Sequence, residues 1–86
     1  MASHVVIQLG RFYETAEIAH LATHSVSLVG GWPEPEASGT LTVLVGQSEV
    51  RARIADKGPR TLRLVPLYGS AWPVDAERAW LGAVRA

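Results

Sequence analysis

Eighty-six residues without a cysteine bound a single small domain with a thin core, and exclude a disulfide framework, thiolate chemistry and a cysteine-ligated zinc site. Hydrophobic residues make up 48% of the chain and charged residues 19%; globular domains average about 25% charged, so this balance fits burial of part of the surface against other subunits. The net charge is zero but unevenly spread: residues 1–50 carry one basic residue, Arg11, against five acidic ones, a net −4, and residues 51–86 carry seven basic against three acidic, a net +4.

The first residues lack a basic segment, and their apolar run is too short for a signal peptide. No apolar stretch approaches the roughly 20 residues of a membrane-spanning helix. A soluble protein is expected, cytoplasmic or virion-borne, with no membrane partner and no cofactor.

His4–Leu9 alternates Val5, Ile7 and Leu9 against His4, Val6 and Gln8, and reads as a short strand. Within a single domain spanning 1–86, residues 1–10 form an edge strand or an extended arm. Arg11–His24 fits two readings. As a helix it places Phe12, Ala16, Ala19 and Thr23 on one stripe and Glu17, His20 and His24 on another; as a strand it places Ala16, Ile18, His20 and Ala22 on one face. Its Ala and Glu content favours the helix. Ser25–Val29 reads as a strand, and Gly30–Gly39, with two prolines, as a loop whose Trp32–Glu36 portion suits an extended polyproline conformation.

Thr40–Ile54 predicts a β-hairpin together with its register. Gly46-Gln47 puts glycine at the first centre of a two-residue type II′ turn, where φ must be positive. Val45 then faces Ser48, Val43 faces Val50 and Leu41 faces Ala52, all on one apolar side. Thr40, Thr42 and Leu44 oppose Arg53, Arg51 and Glu49 on the wet side. A turn at Asp56–Pro59 leads to a strand over Thr61–Leu67, where Leu62 and Leu64 continue the apolar side, Arg63 joins the wet side, and Pro66 marks the strand end or a sheet edge. After a break at Tyr68-Gly69-Ser70, Pro73 introduces a helix over Val74–Val84 with Ala76, Ala79, Trp80, Ala83 and Val84 on its apolar stripe. The fold class is mainly β: a small antiparallel sandwich or barrel-like domain with a short C-terminal helix and room for a second helix near residues 12–23. The alternative is α+β, two helices on one sheet.

No motif names a reaction. Glu17, His20 and His24 have the spacing of metal ligands on one helix face, but the zincin pattern needs Glu directly after its first His, and Leu21 stands there. Solvated histidines are the simpler reading. There is no nucleophile elbow and no phosphate-cradling glycine loop, and Glu34 and Glu36 alternate on an extended loop instead of converging. The chain is read as non-enzymatic.

Arg51, Arg53 and Arg63 share the wet side, with Lys57 and Arg60 at the turn. Arg53 and Arg63 fall nearly opposite each other in the expected register, a repulsive arrangement that calls for a counter-charge. Trp32 and Pro33 offer a stiff aromatic contact at low entropic cost, and Leu44 is a large apolar group on the wet side. Trp32, Pro33, Leu44, Arg51, Arg53 and Arg63 are therefore the expected partner-binding residues. In composition and strand pattern, with no shared motif, the chain resembles small β-rich accessory proteins of tailed-phage virions, the decoration, cement and tail components. That likeness implies a structural subunit assembling with itself or with a larger protein assembly. The alternative is a small nucleic-acid- or phosphate-binding module that uses the arginine-bearing ribbon.

Overall fold

A computed structural model describes residues 4–9, 11–30 and 39–85. Six antiparallel strands, β1 (His4–Leu9), β2 (Phe12–Leu21), β3 (Val26–Val29), β4 (Thr40–Val45), β5 (Ser48–Lys57) and β6 (Thr61–Pro66), close into a barrel in the order β1-β2-β3-β6-β5-β4, and one helix, α1 (Val74–Arg85), follows.

The hairpin forms in the register its pattern dictates. Val45 pairs with Ser48, Val43 with Val50 and Leu41 with Ala52, and these positions other than Ser48 are buried. Gly46 has φ of 62° and Gln47 does not share its positive φ, as a type II′ turn requires. The helix forms as expected, with Trp80 fully buried and Ala76, Ala79 and Ala83 packed on the core, but Val84, read onto the same apolar stripe, is exposed.

Residues 12–21 are a strand, so the second helix and the α+β alternative are both overturned. The reason is tertiary. β2 hydrogen-bonds to β1 along its first half and to β3 along its second, and without it the ring would be open. Closure satisfies a run of backbone groups on both neighbours, which outweighs the few tenths of a kcal/mol per residue by which Ala and Glu favour a helix. Nor is His4–Leu9 an arm or an edge: it pairs with β2 on one side and β4 on the other.

Two register shifts shape the ring, one between Ile18 and His20 in β2 and one between Ile54 and Asp56 in β5. Each leaves one alanine, Ala19 or Ala55, as the extra residue of a bulge, and bulges supply the bend that a small barrel needs. The first also revises the expected facing. Ala16 and Ile18 turn inward, but beyond the bulge Leu21 pairs with Val26 on the inner side, while His20 is exposed opposite Ser27.

Among the described residues, fifteen buried apolar ones form the core, from Val5 and Ile7 through Leu62 and Leu64 to Trp72 and Trp80. No charged or polar residue among those described is buried. Burial of each large aliphatic side chain contributes about 1.5–3 kcal/mol. One mouth of the barrel is closed by α1, which packs on β4 and β5, and by the 67–73 connection, tied to the β2–β3 turn where the Trp72 N–H donates to the Thr23 carbonyl at 3.3 Å. At the other mouth lie the β1–β2 and β5–β6 turns. There Gly30 donates to the Arg60 carbonyl and Ile54 to that of Gly39.

Candidate interaction surface

The outer wall of the barrel carries the side chains that the hairpin register turns to water. Leu44 is half-buried between Val6 of β1 and Glu49 of β5. Arg51 lies opposite Thr42, and Arg53 is exposed between Thr40 and Val65. Arg63 lies between Ser27 and Asp56. The expected clash of Arg53 with Arg63 does not occur. The extra residue at the β5 bulge puts Asp56, not Arg53, in register with Arg63, so an opposite charge stands across the ladder where a like one was expected. Among the described residues Arg51, Arg53 and Arg63 make no ion pair.

Trp32 and Pro33, with Glu34 and Glu36, lie outside the described residues. Of the proposed metal trio, the strand separates what a helix would have gathered. The Glu17 Oε1 meets His4 Nε2 at 3.3 Å, His20 sits beyond the bulge, and the His24 ring meets the Ser70 carbonyl through Nδ1 at 2.5 Å. No group of three metal-ligating side chains forms among the described residues.

The structure adds a feature that pattern reading missed. Between the start of β5 and the first turn of α1 runs an open trough of about 280 Å³, floored by Val50, Leu67, Pro73 and Ala76 and rimmed by Glu49, Arg51, Asp75 and Tyr68. Tyr68 is 82% exposed and Val74, at the head of the helix, 67%. The trough extends along α1 past Ser48, Arg78 and Ala79. Its one signal in the sequence is the helix-opening Pro73 five residues after an aromatic at a chain break. The floor itself comes from three separate segments that only the folded chain brings together.

Arg11, Lys57, Arg60 and Arg63 lie towards the mouth remote from α1, together with the acidic Glu14 and Asp56, and Arg53 stands midway along the wall opposite Thr40 and Val65. The α1 end mixes both signs, with Glu49, Asp75 and Glu77 beside Arg51 and Arg78.

Comparison with protein-family models, curated proteins and solved structures finds no match to this chain. No described helix is long and apolar enough to cross a membrane.

Proposed function

We propose that the protein is a non-enzymatic interaction subunit that assembles with copies of itself or with a larger protein assembly. One observation carries the reading: exposed Tyr68, Pro73 and Val74 gather beside an open apolar-floored trough at one end of a barrel whose strands are already paired on both sides. Closed sheets present no edge for strand addition, so contact falls to side chains, and aromatic groups at a concave patch are the usual anchors of such contact. A decoration, cement or tail role in a virion is the finer form of this reading, supported by the likeness in composition and strand pattern alone.

A second reading is favoured by a separate observation, the basic residues gathered at the mouth remote from α1. Arg11, Lys57, Arg60 and Arg63 outnumber the acidic Glu14 and Asp56 described there, and would suit a polyanion, a nucleic acid or another phosphate ligand. The discriminating experiment is the native mass of the purified chain at two salt concentrations, followed by titration with DNA and RNA. A stable oligomer supports the assembling subunit. A clean monomer whose salt-sensitive binding to nucleic acid is lost in Arg60→Ala and Arg63→Ala would replace it with the second reading.

A further inference from the structure

Charge is distributed around the ring of strands. In the order β1-β2-β3-β6-β5-β4, β5 stands across the barrel from β2. β2 carries Glu14 and Glu17 and no Lys or Arg. The opposite wall, β5 and β6 with the turn between them, carries Arg51, Arg53, Lys57, Arg60 and Arg63 against Glu49 and Asp56. The strands that flank this wall, β3 and β4, carry no charge and set Ser27, Thr40 and Thr42 beside the arginines. Arg51 and Arg53 stand on the same outer face of β5, one strand repeat or about 6.6–6.8 Å apart. Arg63 continues the line on β6 beyond the bulge, and Arg60 ends it at the mouth. All four arginines are exposed. At the α1 end of this row the fold adds an aromatic: Tyr68, 82% exposed, shares the rim of the trough with Arg51. An exposed ring beside an apolar floor is a platform on which a planar base can stack. Glu49 and Asp75 on the same rim repel phosphate and can accept from base amino groups, so bases and not a phosphate backbone suit the trough.

We propose that the β5–β6 wall binds a single strand of nucleic acid, its phosphates following the row Arg60, Arg63, Arg53 and Arg51 and a base stacking on Tyr68. This rests on the second reading above and gives its polyanion a class and a path. The row is one side chain wide, and the hydroxyls of Ser27, Thr40 and Thr42 along its flanks can donate to phosphate oxygens. A duplex fits less well on two counts. Its paired bases are stacked on one another and cannot reach the ring of Tyr68, and its second backbone would lie over β3 or β4, where no cation stands. The zero net charge of the chain does not oppose the proposal, because Glu14 and Glu17 lie across the barrel from the row. Attraction is then local and depends strongly on salt: four neutralised phosphates on a single strand give a slope of log affinity against log salt of about −3.

The test measures the fluorescence anisotropy of a labelled oligothymidylate of about ten nucleotides, within the site sizes of small single-strand-binding barrels, as the full chain is added at several salt concentrations. Oligouridylate of the same length is the RNA arm, and a duplex of that length and long-chain inorganic polyphosphate are the competitors. The variants are Arg51→Ala, Arg53→Ala, Tyr68→Ala and the pair Arg60→Ala with Arg63→Ala, all at exposed positions, and far-ultraviolet circular dichroism confirms the fold of each. The single strand should bind at low salt and the duplex compete more weakly. Arg51→Ala and Arg53→Ala should each make the salt slope shallower by about 0.7. Tyr68→Ala should weaken oligothymidylate binding by at least about fivefold, the low end for one stacked base, and leave polyphosphate, which has no base, unaffected. A preference for either sugar supports the proposal and names the strand as RNA or DNA. Binding that is lost with Arg60 and Arg63 but untouched by the other three variants overturns the path along the wall and leaves a polyanion site at the mouth standing. A duplex that binds as tightly as the single strand, or a Tyr68→Ala loss equal for oligothymidylate and polyphosphate, overturns the single strand as the ligand. No binding of any of these probes at low salt overturns both the path and the polyanion reading.

Discussion

The indole rings of Trp72 and Trp80 meet with centroids 5.5 Å apart and planes tilted by 60°, and neither Nε1–H has an acceptor among the described residues. Together they join α1 and the segment that leads into it to the closed mouth of the barrel. Tilted aromatic pairs contribute about 0.5–1.5 kcal/mol beyond the area they bury. The two members should respond differently to substitution. Trp80→Ala is expected to destabilise by about 3–5 kcal/mol, the range for deleting a buried aromatic. Trp72→Phe removes a buried donor that has no partner and is expected to cost no more than about 1.5 kcal/mol. Urea denaturation of both variants checks this; equal losses would mean that the Trp72 N–H is satisfied after all.

Gly46→Ala is expected to cost about 1–2 kcal/mol, the penalty for holding an L-residue in the left-handed region. A Cβ at this position would meet nothing within 4 Å, so the cost is one of backbone conformation, with no steric part. The denaturation midpoint should fall without a change in its slope. Unchanged stability would show that the turn is not of the type described.

Asp56 and Arg63 face each other only because Ala55 is inserted in β5. Asp56→Arg therefore sets like charges opposite one another and should destabilise by roughly 0.2–1 kcal/mol, and combining it with Arg63→Asp should restore most of the loss. A double-variant cycle measures the coupling, which should shrink as salt is added. Coupling of Arg63 to position 53 instead of 56 would reinstate the register expected without a bulge.

The His24 ring and the Thr23 carbonyl tie the β2–β3 turn to Ser70 and Trp72 respectively. His24→Ala is expected to cost about 1 kcal/mol, the net worth of one such bond. It should also speed hydrogen exchange at the Trp72 amide while leaving the β4–β5 ladder protected. Uniform acceleration across the chain would show that the tie is not local.

Tyr68→Ala should leave the unfolding free energy within about half a kcal/mol of the wild type, as befits an exposed side chain away from special geometry. It should nonetheless lower self-association. A change in stability with no change in association would place Tyr68 in the fold instead of on its surface.

The hairpin was legible because two independent signals, the glycine of the turn and the alternation of Leu41 to Ile54, demand the same register. The terminal helix was legible for the same reason, from Pro73 at its start and the Trp80 stripe. β2 was not: its Ala and Glu content speaks for a helix, and only the needs of β1 and β3 on either side make it a strand. Neither bulge was legible, since an alanine inserted in a strand leaves no mark in composition. Yet those two residues decide where His20 and Arg63 point. The trough escaped notice because Val50, Leu67 and Ala76 belong to β5, the 67–73 connection and α1, whose meeting is a product of closure.

The ring of six strands has a further consequence for life at high copy number. A sheet with a free edge recruits its like through backbone amides, and that pairing is indifferent to sequence and leads towards amyloid. In this barrel each described strand is spoken for on both flanks. The described strands therefore offer crowded copies no backbone edge on which to add, and the route from close contact to a cross-β stack is shut along the whole ring.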